Sequence, residues 1–525
     1  MNDPILWSLI AIQVAMGAFD TLVHHEGTER LAWRASQRRE LQLHGVRNFF
    51  YALIFLTFAW VEPHGIWTMI LGGILLVEIL ITLWDFVEED MTRKLPSTER
   101  INHTLLALNY GAILALAAPV LWGWAQMPNA LHVANYGWWS IFATLSAIGV
   151  GLFSARDLLA AKRSDRLDRG DPARLVDALP PRQNILITGG TGFIGTHLVT
   201  ALVGAGHDVT VLTRSLRNAD ALAHPVRLIT DLDRVHADDR FDAIVDLAGD
   251  PVANWIWTPR KRALIISSRV KMTRALDALI DRLNVKPRVV ISGSAVGYYG
   301  LHGDAVLTEA SAPNPAFVHD VCRTWEESAA PIARDGVRLV VLRIGLVLGV
   351  EGGMLARLLL PFEFGGGGAM GSGQQWMPWI SHNDMIRVIA FAIACEDLHG
   401  PVNAVAPEPV RNSTFTRALG KALHRPTLLR IPAWVIGLLG QMGRETMLGG
   451  QRVVPEKLTR HGFVFHDNMI APLLSRITGA RTDSPAPAAS AVPRLRDRKS
   501  ERDPEKKKVG HDPHLFGSNL GKWRG

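Results

Sequence analysis

Five long apolar runs at the start of the chain restrict its fold more than any other feature of the sequence. They lie at residues 5–23, 45–61, 66–87, 105–124 and 136–153. A helix of about 17 to 25 apolar residues can cross a bilayer, and each run has about that length. The chain has 525 residues, of which 48% are hydrophobic, so at least two domains are expected. The alternative interpretation is that the runs are helices of a large soluble core.

Basic residues are distributed unequally between the connections of these runs. The second connection, "VEPHG", and the fourth, "AQMPNALHVAN", contain no Lys or Arg, whereas the first, the third and the segment after the fifth run are basic. The positive-inside rule therefore predicts five spans with the N-terminus outside, in the inner (cytoplasmic) membrane. Everything after Ala160 is then cytoplasmic. Six tryptophans would form a belt at the outer interface: Trp60, Trp67, Trp122, Trp124, Trp138 and Trp139.

The end of the chain has a different composition. Residues 481–525 hold eleven Lys and Arg against six Asp and Glu, in a chain whose net charge is +7. This segment is poor in apolar residues and rich in proline, which predicts a disordered basic tail, either solvated or in contact with anionic membrane lipid. Nothing further favours a nucleic-acid partner. The two cysteines exclude a disulfide framework.

From residue 184 onward, short β-branched runs alternate with helical stretches. This alternation predicts a Rossmann fold, a doubly wound parallel α/β sheet covered by helices. The predicted fold is therefore an α-helical transmembrane bundle followed by a Rossmann domain with a small C-terminal subdomain. The predicted segments are a membrane domain at 1–160, a linker at 161–183, the Rossmann domain at 184–400, a C-terminal segment at 401–480 and the tail. The strand candidates are "NILIT", "DVTVLT", "AIVDLA", "RVVISGS" and "RLVVLRIG".

The segment "TGGTGFIG" joins the first of these strands to a helix. Gly189 would allow the tight turn, Gly192 would let a pyrophosphate approach the backbone, and Gly195 would let helix and strand pack closely. The helix N-terminus then faces the phosphate charge. Because the segment follows a strand and opens a helix, it predicts dinucleotide binding rather than a structural turn. The predicted cofactor contacts of this loop are Gly189, Gly190, Thr191, Gly192, Phe193, Ile194 and Gly195.

The end of the second strand indicates which dinucleotide is bound. NAD is usually held there by an acidic residue that accepts the ribose hydroxyls, but this chain reads "VLTRS". Arg214 suits the 2′-phosphate of NADP, with Thr213 and Ser215 as hydrogen-bond partners. The sequence thus favours NADP(H) over NAD(H), the alternative being a surface arginine without a ligand.

Many motifs in the same order resemble one known family. They are the glycine loop, "VLTR", "DLAGDPVANWIWTPRKRALIISSRV", "ISGSAVGYYG", "VCRTWE", "LRIGLVLG", "GSGQQWMPWISHNDMI" and "GQRVVPEKL". Together they resemble the atypical extended short-chain dehydrogenase/reductases called epimerase family proteins, which are NAD-dependent epimerase/dehydratase-like and carry a C-terminal domain of unknown function. The resemblance runs from about residue 184 to about residue 480. It does not cover the apolar runs or the tail.

The resemblance implies a catalytic site as well as a cofactor site. Leu247, Ala248 and Gly249 would lie under the cofactor, and Ser292 beside it. Ser294 matches the catalytic serine of ordinary members, in which a Tyr-x-x-x-Lys pair moves the proton. The corresponding stretch here, "PAFVHDVCRTWEES", has neither tyrosine nor lysine, so the candidates that remain are Tyr298 and Tyr299.

Three further features of this half have open interpretations. Asp384 is predicted to hold a loop rather than to do chemistry. Arg343 is predicted either to bind an anionic substrate or to pair with a buried acid. The run "FGGGGAMGSG", residues 364–373, is predicted to be a mobile cleft loop and not a strand.

Polar residues at the inner ends of the apolar runs have no assigned role. They are Asp20, His24, His25, Glu26, Glu29, Glu78, Asp85, Glu99 and His103. Such residues are costly in a membrane unless they are paired, so they form either salt bridges with the loop arginines or a functional site. Their spacing matches no known metal motif, and no metal ligand is predicted from the sequence.

Three functions are compatible with the sequence. The first is an NADP(H)-dependent oxidoreductase or epimerase acting on a small-molecule or lipid-linked substrate. The second is a non-catalytic NADP(H)-sensing module that regulates the membrane domain. The third is redox coupling between NADPH and a metal or quinone site in that domain. The sequence specifies neither the substrate nor the oligomeric state.

Overall fold

Each of the five apolar runs lies in a helix of the structure, a computed structural model that describes residues 3–93, 95–167, 170–219, 221–252, 256–334 and 336–480. All of the described residues belong to one compact unit. The predicted tail, residues 481–525, lies outside the described residues, as does Lys94 of the basic third connection. The five helices are α1 (Pro4–Phe19), α2 (Arg38–Trp60), α3 (Ile66–Thr92), α4 (Ser97–Ala125) and α5 (Trp138–Arg163).

The helices run alternately up and down. At one end, the second and fourth connections form two short antiparallel strands, Val61–His64 and Ala130–Val133. Trp7, near the start of α1, stacks on Trp139 at the start of α5, with ring centroids 5.7 Å apart. At the opposite end, near the start of α4, the Asn102 amide donates to the carbonyl of Met16 near the end of α1. The two connections without basic residues therefore share one end of the bundle.

Within the described ranges of the chain, four segments are long and apolar enough to cross a membrane, judged by length and composition. They are Pro4–Trp33, Ile66–Thr92, Ser97–Ala125 and Trp138–Arg166. The second predicted span lies in α2, which has 23 residues but is not among the four. Polar residues in its first half, such as His44 and Arg47, lower its mean hydropathy. All five spans therefore stay predictions, and the second is the one that length and composition do not support.

At the end of α1 the helix changes from α-helical to π-helical winding. The chain continues without a break as a π-helical segment, Asp20–Glu29. It ends at Arg30, which has the left-handed backbone conformation with φ of 53°. In a π-helix each N–H bonds to the carbonyl five residues earlier, so the residues four and five positions after Asp20 lie on either side of it. His24 and His25 therefore both face Asp20.

The predicted Rossmann domain is confirmed by a seven-stranded parallel sheet. All five predicted strands are present, and two more, Arg227–Ile229 and Gly400–Ala404, form the edges. The order across the sheet is Gly400–Ala404, Arg338–Ile344, Val289–Ala295, Ala243–Asp246, Asn184–Thr188, Asp208–Leu212 and Arg227–Ile229. The strands are buried on both faces, which explains their continuous apolar runs.

Helices cover the sheet and carry the side chains of the site. Helix α6 (Phe193–Gly204) follows the glycine loop, α7 (Pro259–Arg282) follows the strand Ala243–Asp246, and α8 (Phe317–Ala329) precedes the strand Arg338–Ile344. The remaining longer helices are Gly353–Glu363, His382–Ala394, Asn412–Leu423 and Ile470–Ile477.

The end of the bundle that carries the π-helical segment packs directly on the sheet domain. Trp33 and Leu41 of the bundle share one apolar cluster with Leu348 and Phe362 of the sheet domain. Arg156 of α5 is 9% exposed and crosses the same boundary. Its guanidinium binds Glu26 of the π-helical segment, and it also lies 2.9 Å from a carboxylate oxygen of Glu363.

The interpretation of residues 364–373 as a loop without a strand was wrong. Gly368–Met370 forms a strand that pairs in parallel with Leu429–Ile431 of the C-terminal segment. A Cβ atom at Gly368 would lie 2.0 Å from the carbonyl oxygen of Leu429. The glycine is therefore required by the close approach of two backbones and not by mobility.

We expect Gly368→Ala to destabilise the protein, because the methyl group would force these two strands apart. Overpacking of this kind costs about 1 to 3 kcal/mol. Gly303→Ala is the control, since a Cβ atom there meets no described atom within 4 Å. The midpoint of thermal unfolding of the full chain in detergent, followed by tryptophan fluorescence, should fall only for Gly368→Ala. Equal midpoints for the two variants would contradict this account of the strand.

Candidate functional site

The glycine loop occupies the carboxyl edge of the sheet, between the strands Asn184–Thr188 and Ala243–Asp246. Gly189 has a φ of 70°, and a Cβ atom there would lie 2.7 Å from the carbonyl oxygen of Leu247. A Cβ atom at Gly195 would lie 2.1 Å from the carbonyl oxygen of Gly189. These contacts explain the turn and the close helix packing that the sequence predicts.

Gly192 differs from the other two glycines of the loop. Within the described part of the chain, a Cβ atom there would have one neighbour closer than 4 Å, the carbonyl oxygen of Gly189 at 3.2 Å. Gly192 is exposed and caps helix α6. The first N–H groups of a helix have no partner inside it, so those of Phe193 and Ile194 can bind an anion in front of Gly192. This cradle fits a pyrophosphate.

Phe193 also closes the far side of the loop. Its ring lies 4.2 Å from the ring of His382, between centroids, and a Cβ atom at Gly352 would lie 2.2 Å from the Phe193 ring. Burial lowers the pKa of His382 to about 3, so this imidazole is neutral at physiological pH. The loop is thus held by packing and not by charge.

Arg214 projects from the end of the second strand. It is exposed, and no hydrogen bond or ion pair links it to the part of the chain that the structure describes. Thr213 is buried, and its hydroxyl donates to the carbonyl of Ser215 at 3.0 Å. The short turn therefore presents Arg214 as a free cation beside the glycine loop.

The segment after the strand Ala243–Asp246 forms the floor of the cleft. The Asp246 carboxylate accepts from the hydroxyls of Thr188 and Thr273 and from the N–H of Ala248. Burial raises the pKa of this carboxyl, although the three hydrogen bonds oppose the shift. The carboxylate ties the ends of two strands together, and this places Leu247 and Ala248 against Gly189.

Gly249 follows Leu247 and Ala248 and lies against the guanidinium of Arg269. A Cβ atom there would lie 2.9 Å from the guanidinium carbon of Arg269. Arg269 is buried, donates to the carbonyls of Asp250 and Ile265, and lies over the ring of Trp325. Glycine at position 249 thus leaves room for the arginine under the cleft.

Ser294 lies at the end of the strand Val289–Ala295 and is bonded to a carboxylate. Its hydroxyl donates to Oε1 of Glu326 at 2.7 Å. Glu326 also receives two hydrogen bonds from Arg343, at 3.0 and 2.9 Å. Ser292, two residues earlier, is buried and its hydroxyl lies 3.4 Å from the carbonyl of Gly293. Of the two serines, Ser294 is therefore the one whose hydroxyl binds the ion pair of Glu326 and Arg343.

Arg343 is buried and pairs with the partly buried acid Glu326, which favours the second of its two predicted roles. Burial by itself lowers the pKa of Arg343, but the hydrogen bonds to Glu326 outweigh it and raise the pKa above its ordinary value. The guanidinium is thus charged at all physiological pH values. It lies 3.3 Å from the centroid of the Tyr298 ring.

The two candidate tyrosines have different surroundings. Tyr299 is fully buried, and its hydroxyl donates to the side-chain oxygen of Asn403 and accepts from Arg343. Tyr298 is half-buried and faces Arg343 with its ring. The structure brings both close to Ser294. The bonded hydroxyl of Tyr299 is typical of a structural residue, whereas Tyr298 lies nearer to solvent.

Helix α8 is formed by the stretch that, by the family resemblance, corresponds to the Tyr-x-x-x-Lys pair of ordinary members. It presents Cys322 and Glu326, four residues apart on one face, toward Ser294. Burial raises the pKa of the Cys322 thiol to about 11, so this sulfur is not a nucleophile at neutral pH. Sequence reasoning missed Glu326. The sequence feature that could have indicated Glu326 is Arg343, because a cation in a buried strand requires an acidic side chain nearby.

Asp384 holds a loop, as predicted. Its carboxylate accepts from the backbone N–H groups of His466 and Asp467, at 2.9 to 3.1 Å, and pairs with Arg387. It therefore fixes the C-terminal segment to the sheet domain.

Comparison with known proteins agrees with this geometry. The model of the NAD dependent epimerase/dehydratase family matches residues 185–404, and the model of a domain of unknown function, DUF1731, matches residues 431–477. The epimerase family protein Mb2239 of Mycobacterium bovis is 38% identical over 296 residues, which are 56% of this chain and 97% of that protein. YfhF of Bacillus subtilis is 34% identical over 304 residues, 57% of this chain and 99% of that protein.

A solved structure has the same fold. The human epimerase family protein SDR39U1, crystallised with NADPH, is 30% identical, and the match covers 56% of this chain and 99% of that chain with a TM-score of 0.52. Neither family model extends into residues 1–184. The bundle is therefore an addition to a domain that these relatives possess by itself.

We expect Arg214→Ala to weaken NADPH binding by about 1 to 3 kcal/mol, the range of a charge-assisted hydrogen bond, and to leave NADH binding unchanged. Arg174→Ala is the control, because this arginine is also exposed but lies outside the glycine loop. Fluorescence titration of the full chain with each nucleotide measures both affinities. Equal losses for NADPH and NADH would show that Arg214 does not select between them.

Proposed function

The chain belongs to the epimerase family of NAD(P)-binding proteins, and from this premise we propose that it is a membrane-anchored, NADP(H)-dependent oxidoreductase or epimerase. The observation that carries the proposal is the hydrogen bond from Ser294 to Glu326 at the carboxyl edge of the sheet. It places a polar, proton-accepting group beside the cleft that the glycine loop opens.

The cofactor preference rests on Arg214 and on one relative. An exposed arginine without a partner in the described chain suits the 2′-phosphate that distinguishes NADP from NAD. The human relative was crystallised with NADPH. The contacts that we propose for the cofactor are Gly189, Gly190, Thr191, Gly192, Phe193, Ile194, Gly195, Thr213, Arg214, Leu247, Ala248, Gly249 and Ser292.

The bound nicotinamide would supply or accept a hydride, and the protein has to move the accompanying proton. We assign this task to Ser294 and Glu326, with Tyr298 as a further donor at the rim. Glu326 accepts hydrogen bonds from both Ser294 and Arg343, and a carboxylate in this position can take the proton of a substrate hydroxyl through the serine. Tyr299 is proposed to position Arg343 through its hydroxyl.

A second candidate function is a non-catalytic NADP(H) sensor. The observation in its favour is that helix α8 offers a carboxylate already neutralised by Arg343 where ordinary members have a tyrosine and a lysine. A carboxylate in a closed ion pair is a weaker base than a free one. The enzyme requires the Ser294 hydroxyl to move a proton, whereas the sensor does not.

The helical bundle is proposed to hold the enzyme at the inner membrane with the sheet domain in the cytoplasm. Large apolar side chains cover the outward faces of the helices, such as Leu80 at 57% and Leu145 at 63% exposed. In water this surface would be unfavourable, whereas lipid would cover it. The placement would give the site access to a lipid-linked substrate as well as to a small molecule.

Reporter fusions test the topology. Fusions after Glu62 and Asn129 are expected to report the outer side, because these positions lie in the connections without basic residues. Fusions after Glu40 and Ala160 should report the cytoplasm. A cytoplasmic signal at Asn129 would exclude the five-span arrangement.

Substitutions at Ser294 and Glu326 separate the enzyme from the sensor. If these residues move a proton, Ser294→Ala and Glu326→Gln should lower turnover roughly 10²-fold or more, and NADPH affinity should stay within about threefold, under ~1 kcal/mol. Glu327→Gln is the control, because Glu327 lies on the same helix but pairs with Arg323 at the surface. Turnover is measured as NADPH oxidation with a panel of carbonyl compounds and quinones.

Gly192→Val should have the opposite effect, since its side chain would fill the approach to the backbone and abolish NADPH binding. Tight NADPH binding without oxidation by any compound of the panel, together with silent Ser294 and Glu326 variants, would favour the sensor.

A further inference from the structure

A cluster of buried carboxylates and histidines lies inside the helical bundle, at the end that contacts the sheet domain. We call it the His-carboxylate cluster. Each of its residues is at most 8% exposed. Its members are Asp20 and His25 of the π-helical segment, His44 of α2, Glu89 of α3, and Glu99 and His103 of α4.

Helix periodicity explains why these residues meet. In each helix, a carboxylate is followed four residues later by a histidine or a second carboxylate, so both lie on one face. The π-helical winding adds His25 to the face of Asp20. The pairs are Asp20 with His24, Glu40 with His44, Asp85 with Glu89, and Glu99 with His103.

Four of the polar atoms form a compact group. Oδ2 of Asp20 lies 3.3 Å from Nε2 of His25 and 3.1 Å from Nε2 of His103. Nε2 of His25 lies 3.7 Å from Oε1 of Glu99. All four residues offer ligand atoms within 4.8 Å of one another. Around a tetrahedral ion with bonds of about 2.0 to 2.2 Å, neighbouring ligand atoms are about 3.4 Å apart, which matches these distances.

Other side chains hydrogen-bond to two of these proposed ligands, Asp20 and Glu99, and fix their orientation. The second oxygen of Asp20 holds Nδ1 of His24 at 2.8 Å and the amide of Asn102 at 3.1 Å. Arg93 donates to both oxygens of Glu99. An outer shell of this kind is typical of metal sites, where it fixes the direction of the ligand atoms.

Some buried atoms of the cluster have no hydrogen bond. Among the described residues, Nε2 of His25 and Oε2 of Glu89 lack a hydrogen-bond partner, although His25 is 7% and Glu89 0% exposed. A buried polar atom left in this way costs about 1 to 3 kcal/mol. The nitrogen of His25 points toward Asp20 and Glu99, and an ion between the three would satisfy it.

The charge of the region also favours a bound cation. Five buried carboxylates lie in or beside the cluster, and the described arginines that pair with them are Arg47 and Arg93. With neutral histidines, an excess of three negative charges would remain inside the bundle. Buried charge has to be paired or to coordinate a metal. The carboxylates are Asp20, Glu40, Asp85, Glu89 and Glu99.

We propose that Asp20, His25, Glu99 and His103 bind one divalent first-row transition-metal ion. Imidazole and carboxylate ligands without sulfur select the class of Zn²⁺, Fe²⁺ and Mn²⁺. His25, His44 and Glu89 form a second, three-residue group that shares His25 with the first. His44 and Glu89 therefore flank the same ion. The sequence predicted no metal ligand because the ligands come from separate segments whose approach only the fold reveals.

The test uses the full chain in detergent, stripped with a chelator and titrated with Co²⁺ as the probe. We expect about one Co²⁺ per chain, with the intense visible absorption of four-coordinate Co²⁺. His103→Gln and His25→Gln should each weaken Co²⁺ binding at least about tenfold and lose that absorption. His64→Gln is the control, because His64 lies in the strand Val61–His64 at the other end of the bundle.

Substoichiometric Co²⁺ binding by the unaltered protein would overturn the proposal, and this measurement does not depend on whether a variant folds. Size-exclusion chromatography and circular dichroism identify variants that fail to fold. Unchanged affinity in folded His103→Gln and His25→Gln would also overturn it, and the cluster would then be a network of ion pairs with protonated histidines.

Discussion

The ion pairs of Arg156 connect the two halves of this protein. One guanidinium binds Glu26 of the bundle and Glu363 of the sheet domain, and Asp157 lies beside it. Removal of one partner from a buried pair of this kind typically costs 3 to 5 kcal/mol, because the remaining charge stays buried. The position of the bundle on the sheet therefore depends on the pair of Arg156 with Glu363, and Glu26 and Asp157 of the bundle flank the same guanidinium. Apolar packing around Trp33 and Phe362 supports the same contact.

The parts of the fold that repeat a local pattern could be predicted from the sequence. The apolar runs gave five helices, and the β-branched runs gave the central strands, because both patterns depend on neighbours along the chain. The strands Arg227–Ile229 and Gly400–Ala404 were missed because neither has a run of β-branched residues: the first has three residues, and the second, "GPVNA", begins with glycine and proline. Gly368 was misread for a related reason. Its role is set by Leu429, which lies in another segment.

The candidate site shows the same division. The glycine loop and Arg214 follow a local pattern, and the structure places them together at the carboxyl edge of the sheet. Glu326 could not be assigned to Ser294 from the sequence, because the two meet only when helix α8 packs on the strand Val289–Ala295. The four proposed metal ligands likewise share no motif. Chemistry that depends on several segments is visible only once the tertiary contacts are known.

The short ribbon formed by Val61–His64 and Ala130–Val133 also affects how the bundle can move. It ties the connection between α2 and α3 to the connection between α4 and α5 by backbone hydrogen bonds. At the opposite end, Arg93, Glu99 and their neighbours hold the same helices together. Helices fastened at both ends cannot tilt one at a time. The ribbon at one end and the pairs of Arg93 with Glu40 and Glu99 at the other therefore restrain the tilt of α2, α3 and α4 relative to one another.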